Sequence, residues 1–196
     1  MPVVKCDPTE ARKRLEEAGV KIQDGNTEHE LWRARHRNAT AVAYDGKIVI
    51  QGKSPVDIQS HLEAGPEQAY LYFDGASRGN PGEAAVGWVL VGDGGIIAED
   101  GQTIGKATNN QAEYDALLAG LEAAAAFGVE TLTVHGDSEL IIKQLTGEYQ
   151  TRNPELKKRR VEVHELLQQF ASWELSHVPR EINDRADRLA NEALDG

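Results

Sequence analysis

Cysteine is almost absent from these 196 residues: Cys6 stands alone, which excludes an internal disulfide and any cysteine-rich zinc site. Long apolar runs are missing too. No stretch approaches the roughly 18 uncharged apolar residues needed to cross a bilayer. The opening Met1-Pro2-Val3-Val4-Lys5-Cys6-Asp7 lacks the basic start and apolar run of a secretory signal. A cytoplasmic protein with no membrane partner is expected. Basic charge is in deficit, 21 Lys and Arg against 32 Asp and Glu for a formal net charge of −11, which at first sight argues against a polyanionic partner.

What is present suffices for a core: 40% of the 196 residues are apolar, enough for one ordinary domain and a small extra one. The charge is unevenly spread. Residues 1–68 hold ten basic and eleven acidic side chains, whereas residues 69–196 hold the remaining eleven and twenty-one. Either a cell interior rich in salt, in which acidic surface stays hydrated, or an ordinary acidic cytosolic protein accounts for this surplus, because net charge bears on solubility rather than fold.

Along the chain, Asp7-Pro8-Thr9-Glu10 supplies an N-cap, a first-turn proline and an acid, predicting a helix to about Ala18. Ala41 to Tyr44 and Lys47 to Ile50 flank Asp45-Gly46, a strong hairpin signal. Ser54-Pro55-Val56-Asp57 repeats the cap pattern for a helix to about Leu62, and Gly65-Pro66 within residues 63–67 marks a linker, so a small α+β domain over residues 1–66 is expected. Beyond it, strands are expected at residues 70–74, 86–91 and 96–98 in hairpin succession, then at 132–135 and 173–178. Helices are expected at 110–127, 138–145, 154–170 and 183–194. Hairpins first and strand–helix–strand crossovers afterwards imply an α/β unit over residues 67–196, with a mixed sheet flanked by helices.

Sites in such folds lie at strand ends. Asp74 is placed at the end of the first strand of this unit and Asp137 at the end of its fourth, while Glu113 and Asp187 fall early in two helices. Each has an ordinary structural reading. Asn110-x-x-Glu113 fits a helix cap with its acid, Asp137 fits a cap for the helix at Ser138, Asp74 a turn, and Asp187 a partner for a nearby arginine. Together these readings fare worse, because two strand-end carboxylates at one sheet edge repel unless they share a proton or a cation. Oxygen ligands without a His/Cys cluster point to Mg²⁺ or Mn²⁺.

The ordered set Tyr72-Phe73-Asp74-Gly75-Ala76-Ser77-Arg78-Gly79-Asn80-Pro81-Gly82, Thr108-Asn109-Asn110-Gln111-Ala112-Glu113, Asp137-Ser138 and Asn183-Asp184-Arg185-Ala186-Asp187 resembles type 1 ribonuclease H over about residues 69–195. The Val178-Pro179-Arg180-Glu181 turn is similar to the archaeal and bacterial forms. The resemblance implies a ribonuclease H-like five-stranded sheet whose first three strands are antiparallel. It also implies an endoribonuclease, acting as a monomer, that hydrolyses the RNA strand of RNA–DNA hybrids and leaves 5′-phosphate and 3′-hydroxyl ends. Asp74, Glu113, Asp137 and Asp187 match the carboxylates that hold two divalent ions, one to activate water and one to stabilise the leaving oxygen. A catalytically silent binding module would have lost one of these acids, and none is missing. An exonuclease would carry Asp-x-Glu at the first strand end, and an ATPase a second phosphate loop.

The resemblance further implies that Asn80, Asn109 and Asn110 contact the hybrid near the 2′-hydroxyl and that Thr108 holds a DNA-strand phosphate; turn and capping chemistry is the alternative for the three asparagines. Glu139 departs from the glutamine usual after Asp-Ser. A general acid/base or product-release residue is expected before the last helix. Counting back from Asp187 places His177 at the family's usual histidine and favours it, with Arg180, closer to the loop tip, as the alternative. Lys157-Lys158-Arg159-Arg160 reads as a solvated helix face. In Trp32-Arg33-Ala34-Arg35-His36-Arg37, an extended backbone would project Arg33, Arg35 and Arg37 to one side as nucleic-acid contacts, or as plain solvated surface. Residues 41–53 faintly resemble the TATA-binding-protein-like domain of type 3 ribonucleases H.

Overall fold

The computed structural model describes residues 1–63 and 65–196; Ala64, in the expected linker, lies outside the described residues. Contacts divide the chain into two units, Met1–Gly65 and Pro66–Gly196. Among the described residues no helix is long and apolar enough to cross a membrane.

The first unit comprises β1 (Val3–Val4), α1 (Pro8–Glu17), β2 (Lys21–Asp24), β3 (Trp32–His36), β4 (Ala39–Tyr44), β5 (Lys47–Gly52) and α2 (Val56–Leu62). Asp7 caps α1 as expected, its carboxylate accepting from the backbone N–H groups of Thr9 at 2.9 Å and Glu10 at 3.0 Å. The β4–β5 hairpin turns at Asp45-Gly46, where Gly46 takes a positive φ of 67°. Ser54 does not cap α2, since the cap position falls on Pro55, which has no side-chain acceptor.

Three strands go beyond the expected hairpin. β1, β2 and β3 complete an antiparallel sheet in the order β1-β5-β4-β3-β2. β3 buries only Trp32 and Ala34 between polar neighbours, so its apolar alternation is faint. One sheet face, with Val4, Trp32, Ala34, Ala41, Ile48 and Ile50, packs against Leu15 of α1 and Ile58 and Leu62 of α2. The expectation of three arginines on one side is corrected: Arg37 lies in the β3–β4 turn with φ 48°, and its guanidinium pairs with Asp57 at 3.3 Å. The turn reverses the chain before a third outward strand position exists, so only Arg33 and Arg35 share a face.

The second unit comprises β6 (Gln68–Ser77), β7 (Gly82–Gly92), β8 (Gly95–Ala107), α3 (Asn109–Ala126), β9 (Thr131–Gly136), α4 (Glu139–Leu145), α5 (Pro154–Leu167), β10 (Ser172–His177) and α6 (Asp184–Asp195). Its sheet order is β10-β9-β6-β7-β8, with β6, β7 and β8 antiparallel and β9 and β10 parallel to β6. β8 runs well past the expected Ala98, because its later residues are partly exposed on an edge strand and carry few apolar side chains to announce them. Asp74 does not end its strand either: β6 continues to Ser77 by pairing with β7.

The helices seat on opposite faces of this sheet through backbone contact. A Cβ on Gly75 would lie 2.2 Å from the Ala112 carbonyl carbon and the Glu113 nitrogen of α3, and one on Gly87 would lie 2.2 Å from the Ala186 oxygen of α6. Gly87 is the register partner of Asp74, and Gly75 is the next residue along β6, so the two glycines point to opposite faces. Replacing Gly87 with alanine should lift α6 from the sheet and cost about 1–3 kcal/mol. Urea unfolding of Gly87→Ala against the parent checks this, and an unchanged midpoint would contradict the close seating.

Candidate active site

Unequal pairing on the two flanks of β6 decides where the carboxylates meet. β7 accompanies β6 to Ser77, whereas the parallel partner β9 leaves it after Phe73↔Gly136. Asp74 is thus the first residue of β6 with one flank free, and Asp137 follows directly on the end of β9. The contact at Gly75 seats α3 against this point at Ala112 and Glu113 and so delivers Glu113. The capping reading of Asn110 and Glu113 is corrected, because Thr108 caps α3. Its hydroxyl accepts from the Gln111 N–H at 3.3 Å, while the Gln111 side chain accepts from the Thr108 N–H at 2.8 Å. Glu113 is left free for another task.

Asp74, Glu113 and Asp137 each offer an oxygen within 4.8 Å of the others. Asp74 and Glu113 are each only 6% exposed. Burial, then the neighbouring charges of Asp137 and Asp187, push the Asp74 carboxyl up to about 7, opposed by Arg180 and the Gly75 N–H. Glu113 is held well above the usual carboxylate range, first by burial and then by Asp74 and Asp137. Its Oε2 is buried without a hydrogen-bond partner. A crowded, largely buried set of oxygen donors with an orphaned carboxylate oxygen is what a hard divalent cation would satisfy.

Asp187, on the first turn of α6, is not among the three gathered oxygens. It accepts from the Arg180 guanidinium at 2.6 Å, as its ordinary reading anticipated, yet it is near enough for its charge to act on Asp74. His177 ends β10 with its ring Nε2 3.2 Å from the Asp137 carbonyl oxygen, so it faces the backbone beside the cluster, whereas the Arg180 charge reaches both Asp74 and Glu113. Asn183, which opens the last segment of the family motif, has a role that the sequence did not assign. Buried at the start of α6, it donates from Nδ2 to the Phe73 carbonyl at 2.8 Å and to Asp137 Oδ1 at 3.1 Å, tying strand β6 to the carboxylate. Its membership of the motif and its place directly before the helix were the signals available.

Among the residues expected to meet substrate, Asn80 and Asn109 are together, the Asn80 side chain accepting from the Asn109 N–H at 3.3 Å. Asn110 and Thr108 occupy the adjoining start of α3. Glu139 turns to its own helix and pairs with Lys143 at 2.6 Å. Within the basic run, Arg159 is engaged by Asp115 of α3 at 2.6 Å and so is not a free cation.

A mixed five-stranded sheet with carboxylates gathered at the open flank of its central strand defines a ribonuclease H-like α/β protein. The family described as reverse transcriptase-like matches residues 72–193. The ribonuclease HI of Halobacterium salinarum is 59% identical over all of this chain and 99% of its own length. The crystal structure of RNase H1 from that halophilic archaeon is similar with a TM-score of 0.64 and 64% identity, covering 65% of this chain and 98% of the other. LC11-RNase H1, solved in complex with an RNA/DNA hybrid, has a TM-score of 0.62 and 38% identity, covering 65% of this chain and 96% of that one. The chain belongs to the ribonuclease HI family of hydrolases.

The raised Asp74 value has a consequence for stability. Between the ordinary value of 3.8 and about 7, the folded chain keeps a proton that the unfolded chain has released. The associated stability is therefore complete at low pH and lost as pH rises through about 7. With divalent ions chelated, the melting temperature of Asp74→Asn should gain on that of the parent across this interval and then level off. A difference that stays constant from pH 4 to 8 would contradict the buried, crowded state of Asp74.

Proposed function

We propose that this chain is an endoribonuclease that hydrolyses the RNA strand of RNA–DNA hybrids, with Asp74, Glu113, Asp137 and Asp187 holding two Mg²⁺ or Mn²⁺ ions. The observation that carries it is the gathering of three carboxylate oxygens within 4.8 Å. The unpartnered Glu113 Oε2 and the oxygen-only donor set support a hard cation there. When bound, the ions lower the pKa of a water and stabilise the leaving 3′ oxygen, so that 5′-phosphate and 3′-hydroxyl ends result.

The protein's own residues set the geometry. Asn183 fixes the Asp137 carboxylate against β6, and the Gly75 contact fixes Glu113. Arg180 balances Asp187 until a cation takes that role, and its charge beside Asp74 and Glu113 makes it better supported than His177 as the assisting group. A guanidinium does not give up its proton near neutrality, so Arg180 would act by charge rather than by proton transfer. Asn80, Asn109 and Asn110 present amides that can both donate to and accept from a 2′-hydroxyl, and Thr108 lies at the same helix start for a DNA-strand phosphate. All of these groups come from one chain, so a single copy suffices. The hybrid bound by LC11-RNase H1 supports this substrate class. The acidic surplus suits a salt-rich cell interior, such as that of the halophilic relative.

Cleavage of a labelled RNA–DNA hybrid with Mg²⁺ or Mn²⁺ tests the reading. The parent chain should cut the RNA strand, and Asp137→Asn, which keeps the shape but not the charge, should lose on the order of 100-fold or more in rate, the scale expected when a metal-binding charge is removed. Equal rates would remove Asp137 from the site.

A further inference from the structure

The first unit has no part in the proposed chemistry, yet one face of its sheet is left uncovered by the unit's helices. Both helices of the unit pack on the opposite face. Register places Lys21, Arg35, Thr40 and Gln51 in one row across four strands and Gln23, Arg33, Val42 and Val49 in the next. Lys47 shares this face, two positions before Val49. Every charged side chain that strands β2 to β5 direct to it is therefore basic: Lys21, Arg33, Arg35 and Lys47.

Between the rows lies an open cleft of about 450 Å³, lined chiefly by Gln23, Asn26, Arg33, Arg35, Thr40 and Gln51. None of the side chains lining it is acidic; a Glu30 carboxylate oxygen lies 3.6 Å from Arg33 Nε, which is buried without a hydrogen-bond partner. Arg33 and Arg35 stand two residues apart on a strand, about 6.7 Å, a step close to that between successive phosphates of a polynucleotide strand. Guanidinium forks bind phosphate in two-point fashion, and the flanking amides and hydroxyl add donors that suit a backbone rather than base edges.

We propose that this open face binds the phosphate backbone of a nucleic-acid duplex and holds it on the chain for hydrolysis. The proposal rests on the reading of the chain as a nuclease acting on RNA–DNA hybrids. Charge complementarity selects the partner. Residues 69–196 carry twenty-one acids against eleven bases, and Arg159 of their single basic run is paired with Asp115, so attraction for a polyanion must come chiefly from elsewhere. A tethered second contact raises the local concentration of substrate without any change at the carboxylates.

The test uses the full chain carrying Asp137→Asn and a fluorescein-labelled RNA–DNA hybrid, read by anisotropy over a KCl series in which circular dichroism shows the chain folded. Lys21 and Arg35 are exposed, so Lys21→Gln with Arg35→Gln should leave the fold intact, weaken binding about 10-fold and lower the salt slope by about 2, near 0.9 per phosphate contact. The matched pair Arg12→Gln with Lys13→Gln on α1 removes the same charge from the covered side and should leave affinity and slope unchanged. Unaltered binding in the first pair, or equal loss in both, overturns the proposal. Because the readout is binding and not cleavage, failure of the nuclease reading shows in the hydrolysis assay and failure of this face shows here.

Discussion

Two carboxylates taken out of water beside a third create an electrostatic problem that the surrounding structure must contain. Asp74 and Glu113 are almost fully buried, and burial is the largest influence raising both above their ordinary range. The site therefore favours whatever lowers its negative charge, a proton when no ion is bound or a divalent cation when one is. Hydrophobic packing around Phe73, Leu71 and Leu117 supplies the stability that lets the fold tolerate this crowding.

Backbone geometry imposes the crowding. Central strand β6 keeps β7 on one side beyond the point where β9 departs on the other, and this opens a flank at Asp74. Glycine at 75 lets α3 approach until its backbone at Ala112 and Glu113 touches the strand, and glycine at 87 lets α6 do the same at Ala186 and Ala190 on the other face. Asn183 then joins the elements, since one side-chain amide bonds both the backbone of β6 and the Asp137 carboxylate. Arg180 is the guanidinium seated beside this arrangement, largely exposed and joined to Asp187.

Charge is distributed along the chain in a way that fits these tasks. The acidic residues concentrate in the second unit, where three of them gather at the open flank of β6 and others, such as Asp115 and Glu99, pair with arginines. The first unit is near neutral overall, but its strands sort basic side chains to one face by simple alternation. Net charge alone argues against a polyanionic partner; the placement of the basic side chains is what the proposed nucleic-acid face rests on.

The legible parts of this protein were those set by local rules. Asp7 with Pro8 starts a helix, Asp45-Gly46 turns a hairpin, and the order of Asp74, Glu113, Asp137 and Asp187 with their flanking glycines and asparagines marks the family, because spacing along the chain encodes each of them. Strands β1, β2 and β3 and the far half of β8 were not legible, since short, charged or edge segments gain their order from partners distant in sequence. Nor could the sequence distinguish Thr108 from Asn110 as the cap of α3, place Asn183 between Phe73 and Asp137, or remove Arg37 from the arginine face. Composition determined a cysteine-poor, acidic chain with carboxylates at element junctions. Only the tertiary structure decided that three of those carboxylates share one corner, two of them buried and Asp137 half-buried, while the fourth is held by Arg180, because burial and distance between charges exist only once the strands and helices have been brought together.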